Sequence, residues 1–409
     1  MGRNLRIVHV FTVPLSLILL RGQVRFMRDR GHEIIVVTAP GPELDAFGER
    51  EGVRVQGIEM SRRISPIDDL RSLAKLVAFL HEVRPDVVHA HTPKGGLLGT
   101  TAAALARIPA RIYHMRGLPL STARGAQRPL LAAAERTSCG LATHVLCVSA
   151  SLREEAVARR LVRPVTARVL GRGSGNGVDC DGRFDPDSVD AEAVRKLRES
   201  IGVGGAPLVG FVGRLVRDKG VIELADAWAR VRERVPDAHL VIAGRFEDRD
   251  AVPSEVRARL ASDERVHMIG FVDDPATLYA AMDVLAFPSH REGFPNAPAE
   301  AASMRVPVVG ARAVGSVDAI VDGVTGTLVP VGDAPALAVA IERYLTDRDL
   351  AAAHGRAGRE RMQRDFRSQR VWEALPAFYE SLPTRSGRPT DGAPVTDSSQ
   401  SSHHGGSRV

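Results

Sequence analysis

Two carboxylates, Glu292 and Glu300, enclose a Gly-Phe-Pro-Asn turn, with seven residues between them. A strand-like run precedes this stretch and a helix-like run, 297–304, follows it, which predicts a loop at the carboxyl edge of a parallel strand, where open α/β sheets bind ligands. Carboxylates there accept hydrogen bonds from hydroxyl groups. Gly293 lets a ligand approach the backbone, and Asn296 is predicted to cap the helix, whose free N–H groups favour an anion. Hydroxyl acceptors beside an anion site predict a sugar phosphate as ligand.

A second candidate site is the segment 213–220, Gly-Arg-Leu-Val-Arg-Asp-Lys-Gly, which follows a predicted strand and opens a predicted helix. Arg214 offers a planar fork of donors to phosphate oxygens. Lys219 places a point charge at the helix start, where the helix dipole already favours anions. Such pairs alone are common pieces of turns. Because both segments are predicted at the same sheet edge, they together predict a site that holds a diphosphate.

The elements that must position these segments alternate between strand and helix. The strand-like runs of the first half are 5–11, 33–38, 53–58, 87–91, 111–114, 144–148 and 167–170. Helical runs separate them, and the first of these is predicted at 17–30. A second alternation begins with a strand at 208–212. Each alternation predicts a doubly wound parallel sheet with helices on both faces.

The fold class is therefore predicted as α/β with two doubly wound, Rossmann-like domains. The predicted divisions are an N-terminal domain at 1–172, a Gly-, Asp- and Pro-rich connection at 173–206, a C-terminal domain at 207–364, a helix at 365–383 and a tail at 384–409. The helix is expected to pack back on the N-terminal domain. The tail is rich in Ser, Gly, Pro and Thr and is expected to be disordered.

Composition excludes several classes of protein. The net charge of +6 comes mostly from scattered arginines and aromatic residues make up 4% of the chain, so a nucleic-acid partner is not expected. A basic face could still meet anionic lipid or a pyrophosphate, although a solvated surface is its usual meaning. Three cysteines without metal-ligand spacing fit a reducing cytoplasm. The apolar run 10–20 is too short to span a bilayer.

The motifs resemble those of glycosyltransferase family 4. The resemblance rests on segment 211–220, the pair Glu292 and Glu300 with its Glu-Gly-Phe-Pro-Asn turn, and Asn-Gly-Val-Asp at 176–179, and it covers roughly residues 4–380. It implies the GT-B fold, in which two domains face each other across a cleft. It also implies transfer of a glycosyl unit, with retention of anomeric configuration, from a nucleotide-diphosphate sugar. No Asp-x-Asp motif stands at a donor-site position, so neither a metal nor another cofactor is expected.

The resemblance implies a role for each matching residue. Arg214 and Lys219 would hold the donor diphosphate and stabilise its developing charge. Glu292 would accept hydrogen bonds from hydroxyls of the donor sugar, and Glu300 from the ribose. His114 lies near the place where the family has a histidine at the donor sugar, with a buried structural histidine as the alternative. Further donor-binding residues would be Gly213, Gly293, Phe294, Pro295 and Asn296, with Phe271 and Val272 either at the base or on a hydrophobic rim.

The loops 92–96 and 115–119 resemble those of family members that extend sugars on polyprenyl diphosphate for surface glycans. Lys94, Gly95 and Arg116 are the resulting candidates for binding a saccharide or polyprenyl-diphosphate-linked acceptor. The apolar run 13–20 could touch a lipid chain or pack as a helix into the core. A cytoplasmic enzyme that also binds the inner face of the cell membrane is therefore expected, adding a hexose or N-acetylhexosamine to a growing glycan.

Two departures from the family pattern bear on the donor sugar. Arg305 stands where relatives have glycine, and a left-handed backbone there would be strained by a side chain. The segment 314–318, Val-Gly-Ser-Val-Asp, matches a Gly-Gly-x-x-Glu element only in part. Two alternative functions stay open: a nucleotide-sugar 2-epimerase on the same fold, and a non-catalytic sugar-nucleotide- or lipid-binding partner in a polymer-synthesis complex.

Overall fold

A computed structural model describes residues 3–61, 65–123 and 125–384. Within these residues the first half forms a seven-stranded parallel sheet. Its strands are β1 (Arg6–Val10), β2 (Glu33–Thr38), β3 (Arg54–Gly57), β4 (Val87–His91), β5 (Ala110–Met115), β6 (His144–Cys147) and β7 (Ala167–Arg168). The helices that accompany it are α1 (Gln23–Arg28), α2 (Pro42–Glu51), α3 (Pro66–Val83), α4 (Pro93–Leu105), α5 (Gln127–Leu141) and α6 (Ala150–Ala158).

The second half repeats this plan around a six-stranded parallel sheet in the described chain. After helix α7 (Ala191–Ser200), its strands are β8 (Leu208–Val212), β9 (His239–Ala243), β10 (Val266–Gly270), β11 (Val284–Phe287), β12 (Val308–Ala311) and β13 (Gly326–Val329). Its helices are α8 (Val221–Arg234), α9 (Ser254–Ser262), α10 (Ala276–Ala281), α11 (Asn296–Ser303), α12 (Ser316–Ala319), α13 (Ala334–Thr346) and α14 (Arg348–Arg361), and α15 (Ser368–Glu380) ends the described chain.

Both sheets are doubly wound, which confirms the predicted fold class. The first sheet has the order β3-β2-β1-β4-β5-β6-β7 and the second β10-β9-β8-β11-β12-β13. Helices cover both faces of each sheet, so the strands are apolar on both sides. The strand order reverses between β1 and β4 and again between β8 and β11, and ligands of open α/β sheets bind beside such reversals, at the carboxyl ends of the strands.

Two chain crossings between the domains lie side by side. Val178 donates its N–H to the carbonyl of Phe366 (2.8 Å), and Ser368 donates to the carbonyl of Val178 (2.9 Å). Beyond this crossing α15 returns to the first sheet, where Leu375 and Phe378 join its apolar core. The C-terminal helix thus covers one face of the N-terminal sheet. Residues 385–409, most of the predicted tail, lie outside the described residues.

The predicted helix 17–30 is wrong in its first part. A 3-10 helix, Pro14–Leu20, comes first, and α1 begins only at Gln23. Gly22 separates them with φ +74°, and a β-carbon there would lie 2.6 Å from the ring of Trp372 on α15. The chain therefore breaks where the C-terminal helix inserts its tryptophan, a contact far away in sequence.

Arg305 adopts the left-handed conformation expected of it, with φ +62°. Its guanidinium forms two 2.7 Å hydrogen bonds with Asp187, which partly offset the strain of a side chain at this φ. No helix among the described residues is long and apolar enough to cross a membrane.

Candidate active site

The loops that follow β8 and β11 meet at Gly220. This residue has φ +73°, and a β-carbon there would lie 2.1 Å from the carbonyl oxygen of Pro288. Only glycine permits both the conformation and the approach. His290 ties the same loops by donating its N–H to the carbonyl of Asp218 at 2.8 Å. The adjacent pairing of β8 with β11 and this close contact bring the two predicted segments together.

An ion pair between Lys219 and Glu292 joins the two loops. Both side chains are largely shielded, with 18% and 12% of their surface exposed. Ser289 donates its hydroxyl to the same Glu292 oxygen, Oε1, at 2.6 Å. Lys219 ends a short 3-10 helix, Arg217–Lys219, immediately before α8, so its ammonium lies near that helix start as expected. An anion that enters here meets a cation already oriented by a carboxylate.

Arg214 is the more accessible cation of this region. Its side chain is 54% exposed and pairs with Glu247 at 2.9 Å. The preceding Gly213 donates its N–H to the carbonyl of Ala243 at 2.9 Å, which fixes the loop to the end of β9. A phosphate that bound Arg214 would compete with Glu247, a surface partner of little energetic weight.

Glu300 lies on α11 and is held by a tyrosine. Tyr279 donates its hydroxyl to Glu300 Oε2 at 2.9 Å. Burial raises the pKa of Glu300, whereas the hydrogen bond from Tyr279 opposes that shift. The predicted cap at Asn296 is wrong, because Asn296 is the first helical residue and Pro295 occupies the N-cap position. Phe294 turns inward and packs on Phe366, with ring centroids 4.8 Å apart.

The candidate base-binding pair, Phe271 and Val272, divides between two environments. Phe271 follows β10 at the same sheet edge and is 63% exposed. The guanidinium of Arg245 lies 5.6 Å from its ring centroid, and Arg245 accepts a hydrogen bond from Leu215 in the Arg214 loop. Val272 packs against the core. Phe271 alone therefore offers an open aromatic face beside the cationic loop.

Gly293 is the point at which the two domains touch. A β-carbon at Gly293 would lie 2.0 Å from the carbonyl oxygen of Arg116, in the loop after β5. The free space expected for a ligand at this glycine is thus taken by backbone of the other domain. The cleft is closed at this point, and the donor loop is in direct contact with the first domain.

His114 belongs to a buried array of four histidines on one face of the first sheet. Its Nδ1 lies 3.2 Å from His89 Nε2, and His9 Nδ1 lies 2.9 Å from His91 Nε2. Tyr379 of α15 closes the array with a 2.6 Å contact to His89. Burial holds the pKa of His114 well below its ordinary value, so it is neutral at pH 7. This environment matches the structural alternative for His114.

Arg116 reaches this array from the cleft side. Its Nε donates to His91 Nδ1 at 3.2 Å. Both terminal nitrogens are shielded from solvent and have no hydrogen-bond partner among the described residues. Burial lowers the pKa of Arg116 to about 9, and no carboxylate contributes to its environment. A buried guanidinium without a counter-ion is costly unless an anion joins it.

The imidazoles of His9, His89 and His91 also have the spacing of a possible metal site, with ligand atoms within 4.8 Å of one another. Two observations favour a hydrogen-bonded array over a metal site. The ring nitrogens already contact each other, and the His89 and His91 rings stack at 4.3 Å rather than converge. The cationic Arg116 contacts His91 directly, which disfavours a second positive charge there.

The two other acceptor candidates lie at the start of α4. Lys94 pairs with Asp69 of α3 at 2.5 Å. Gly95 is buried, and a β-carbon there would lie 3.2 Å from the backbone nitrogen of Thr12, after β1. These residues therefore join the carboxyl ends of β1 and β4 to α3.

Sequence reasoning missed Ser289 and Tyr279, the residues that hold the two glutamates. Ser289 stands three positions before Glu292, and its place within the polar loop was an available signal. Tyr279 lies 21 positions before Glu300 on another helix, and no local pattern marks it.

Two Rossmann-like domains that close on a loop bearing a lysine–glutamate pair define a GT-B glycosyltransferase. The second domain matches the family described as Glycosyl transferases group 1 over residues 206–347. The first matches the Glycosyl transferase 4-like domain over residues 19–173. The chain therefore belongs to this family of glycosyltransferases, which confirms the resemblance to family 4.

Relatives match along nearly the whole chain. The capsular polysaccharide biosynthesis glycosyltransferase CapM of Staphylococcus aureus is 33% identical over 381 residues, which is 93% of this chain and 98% of CapM. The UDP-Gal:alpha-D-GlcNAc-diphosphoundecaprenol alpha-1,3-galactosyltransferase of Escherichia coli is 27% identical over 71% of this chain and 74% of its own. The crystal structure of Anabaena HepE with UDP-glucose shares the fold, with a TM-score of 0.78, 24% identity, and coverage of 93% of this chain and 100% of HepE.

Proposed function

We propose that the protein transfers a hexosyl or N-acetylhexosaminyl unit, with retention of configuration, from a nucleotide-diphosphate sugar to a lipid-linked saccharide in surface polysaccharide synthesis. The name of CapM places that relative in capsule synthesis, and the name of the E. coli relative gives it a diphosphoundecaprenol-linked acceptor. HepE was crystallised with UDP-glucose. These names support the donor and acceptor classes proposed here.

The ion pair between Lys219 and Glu292 is the observation that carries the proposal. In the reaction, Lys219 shifts toward the donor diphosphate, and Arg214 joins it by leaving Glu247. Their charges stabilise the leaving diphosphate without a metal or other cofactor. Glu292, still held by Ser289, accepts hydrogen bonds from the donor sugar, and Glu300 accepts them from the ribose. The exposed ring of Phe271 stacks on the base.

Arg116 is proposed to bind the negative charge of the acceptor. Its terminal nitrogens need an anion, and the acceptor's diphosphate supplies one once the cleft opens enough to admit it. Lys94 is neutralised by Asp69 in this structure and therefore makes the smaller contribution.

An apolar rim on the first domain is proposed to meet the membrane that holds the acceptor. We give this name to five side chains, each between 49% and 69% exposed: Leu15, Ile18, Ile67, Leu70 and Leu130. They lie on the 3-10 helix after β1 and on the first turns of α3 and α5, so they share the carboxyl edge of the first sheet with the acceptor loops. Exposed arginines nearby, Arg71 and Arg128, favour an anionic lipid surface.

A donor screen tests the proposal. UDP-glucose, UDP-galactose, UDP-N-acetylglucosamine and GDP-mannose are each offered with a prenyl-diphosphate-linked saccharide, and the anomeric configuration of the product is read by NMR. We expect transfer from one of them, and a loss of kcat of about a hundred- to a thousandfold in Lys219→Ala. Lys196→Ala, which changes an exposed lysine of α7, is the control.

Three results would contradict parts of this proposal. Tight donor binding without hydrolysis or transfer would indicate a non-catalytic binding protein. Epimerisation of the free nucleotide sugar at C2 would indicate the epimerase. Inversion at the anomeric carbon would overturn the retaining mechanism alone.

A further inference from the structure

Helix α6 of the first domain is capped by a residue of the second. Asp318 Oδ1 accepts the backbone N–H groups of Ala150 (3.0 Å) and Ser151 (3.3 Å). The hydroxyl of Ser151 donates to the other carboxylate oxygen of Asp318 and accepts the N–H of Gly315 at 2.8 Å. A carboxylate at a helix N-terminus satisfies free N–H groups and interacts favourably with the helix dipole. Here that interaction exists only while the cleft is closed.

The neighbouring Ser149 extends this contact to the donor loop. Its hydroxyl donates to the carbonyl of Gly293 at 2.7 Å and accepts the N–H of Leu152 as the N-cap of α6. Ser149 is fully buried. On the other side, Gly315 has φ +80°, and a β-carbon there would lie 2.5 Å from the Gly293 carbonyl oxygen. The peptide after Gly293 is therefore fixed in orientation from both domains.

A second cross-domain contact flanks the same loop. Thr122 of the first domain donates its hydroxyl to Asp218 Oδ2 at 2.9 Å and accepts a hydrogen bond from Arg291 Nε at 2.7 Å. Asp218 and Arg291 also pair with each other at 2.6 Å. Contacts with the first domain thus lie on both sides of Glu292, which fixes the loop more firmly in the closed state than in an open one.

We propose that Asp318, Ser149 and Ser151 form a closure latch whose function is to position the donor loop. The latch acts through the Gly293 peptide and does not itself touch the donor. Asp318 ends the 314–318 segment, and its carboxylate is used to cap α6 rather than to bind the donor sugar. This inference rests on the proposed donor site for its catalytic consequence, whereas the closure itself can be measured without any substrate.

Distances between the domains test the closure directly. Spin labels at Ala74→Cys on α3 and Val339→Cys on α13 report the separation in the ligand-free full-length chain by double electron–electron resonance. The three native cysteines are buried. The short distance of the closed form should dominate in the parent protein and give way to longer distances in Asp318→Ala. Asp226→Asn, which changes an exposed acid paired with Arg259, should leave the distribution unchanged.

A double-mutant cycle tests the positioning role. Asp318→Ala and Ser151→Ala should each raise the donor KM about tenfold, because each removes a hydrogen bond of a charged pair. The double variant should lose little more than either single variant, since both changes break one contact. Ser149→Thr, which keeps the hydroxyl, should retain more activity than Ser149→Ala.

The outcomes separate this inference from the proposed function. An unchanged distance distribution in Asp318→Ala, a parent chain that is open throughout, or strictly additive effects on KM would each overturn the latch. Failure of every donor to react, with the distance shift intact, would overturn the proposed reaction and leave the latch in place.

Discussion

Glu300 is a half-buried acid whose charge depends on one hydrogen bond. Burial raises its pKa above the ordinary value for a glutamate, and the Tyr279 hydroxyl is the first cause acting against that shift. Only the ionised carboxylate is a pure acceptor for ribose hydroxyls. Since protonation of Glu300 removes that role, donor binding should weaken as the pH falls through the folded-state pKa.

Tyr279→Phe should therefore raise the pKa of Glu300 further and move the acidic limb of the donor kcat/KM profile to higher pH. At a fixed pH on that limb, the donor KM should rise about fivefold, as expected for the loss of one hydrogen bond. Tyr344→Phe is the matched control, because its hydroxyl contacts His354 in the core of the same domain. An acidic limb that stays in place would show that Tyr279 serves packing alone.

The sequence predicts residues well when their chemistry is local. Lys219 and Glu292 each lie in a polar loop directly after a buried strand, so type and position indicate the same role. The latch serine Ser149 carries no such signal, because its partner Gly293 is 144 positions away. Thr122 is likewise 96 positions from Asp218. Only closure of two folded domains brings these groups together, and no periodicity within either domain encodes it.

At the scale of elements, the contact between α1 and α15 joins the C-terminal helix to the first domain. Trp372 of α15 donates its indole N–H to Asn176 Oδ1 at 2.8 Å, and Asn176 donates to the carbonyl of Arg21 at 2.9 Å. The tryptophan ring also packs on Phe26, 5.6 Å away. Gly22 provides the space for this ring.

Gly22→Ala should destabilise the fold by about 2 kcal/mol, because the new methyl group meets the Trp372 ring and the residue keeps a positive φ. Gly140→Ala is the control of opposite sign. Gly140 lies within α5 with nothing within 4 Å of the added carbon, so the change should stabilise the protein by roughly 0.5–1 kcal/mol. Urea unfolding measures both. Equal effects of the two substitutions would contradict the role given to the α1–α15 contact.

The same contact explains why strands are easier to predict here than the first helix. Each strand is a short apolar run that parallel pairing buries on both faces, so its position follows from composition alone. The apolar pattern of 17–30 also fits one continuous helix. A glycine whose conformation is set by a tryptophan 350 positions later interrupts it, and helix periodicity does not record that event.

For the whole molecule, the asymmetry of exposed apolar surface indicates how the protein meets its acceptor. The apolar rim lies at the carboxyl edge of the first sheet, at the same edge as Lys94 and Arg116. Leu105 is equally exposed at 59%, but it ends α4 at the opposite edge of that sheet. A bilayer that contacts the rim would present a prenyl-diphosphate head directly to the acceptor loops. A bilayer on the Leu105 side would not.

Leu15→Ser combined with Ile18→Ser should therefore release the protein from vesicles of equal parts phosphatidylglycerol and phosphatidylethanolamine. Each inserted side chain contributes about 1.5–3 kcal/mol, so the double change should weaken binding by roughly a hundredfold, measured by co-sedimentation. Leu105→Ser removes the same kind of surface from the other edge and should bind as the parent does. High salt should weaken binding of the parent, because Arg71 and Arg128 attract the anionic lipid. If the Leu105 variant lost as much affinity as the rim variant, binding would be a general property of exposed leucines, and the rim would have no special orientation toward the membrane.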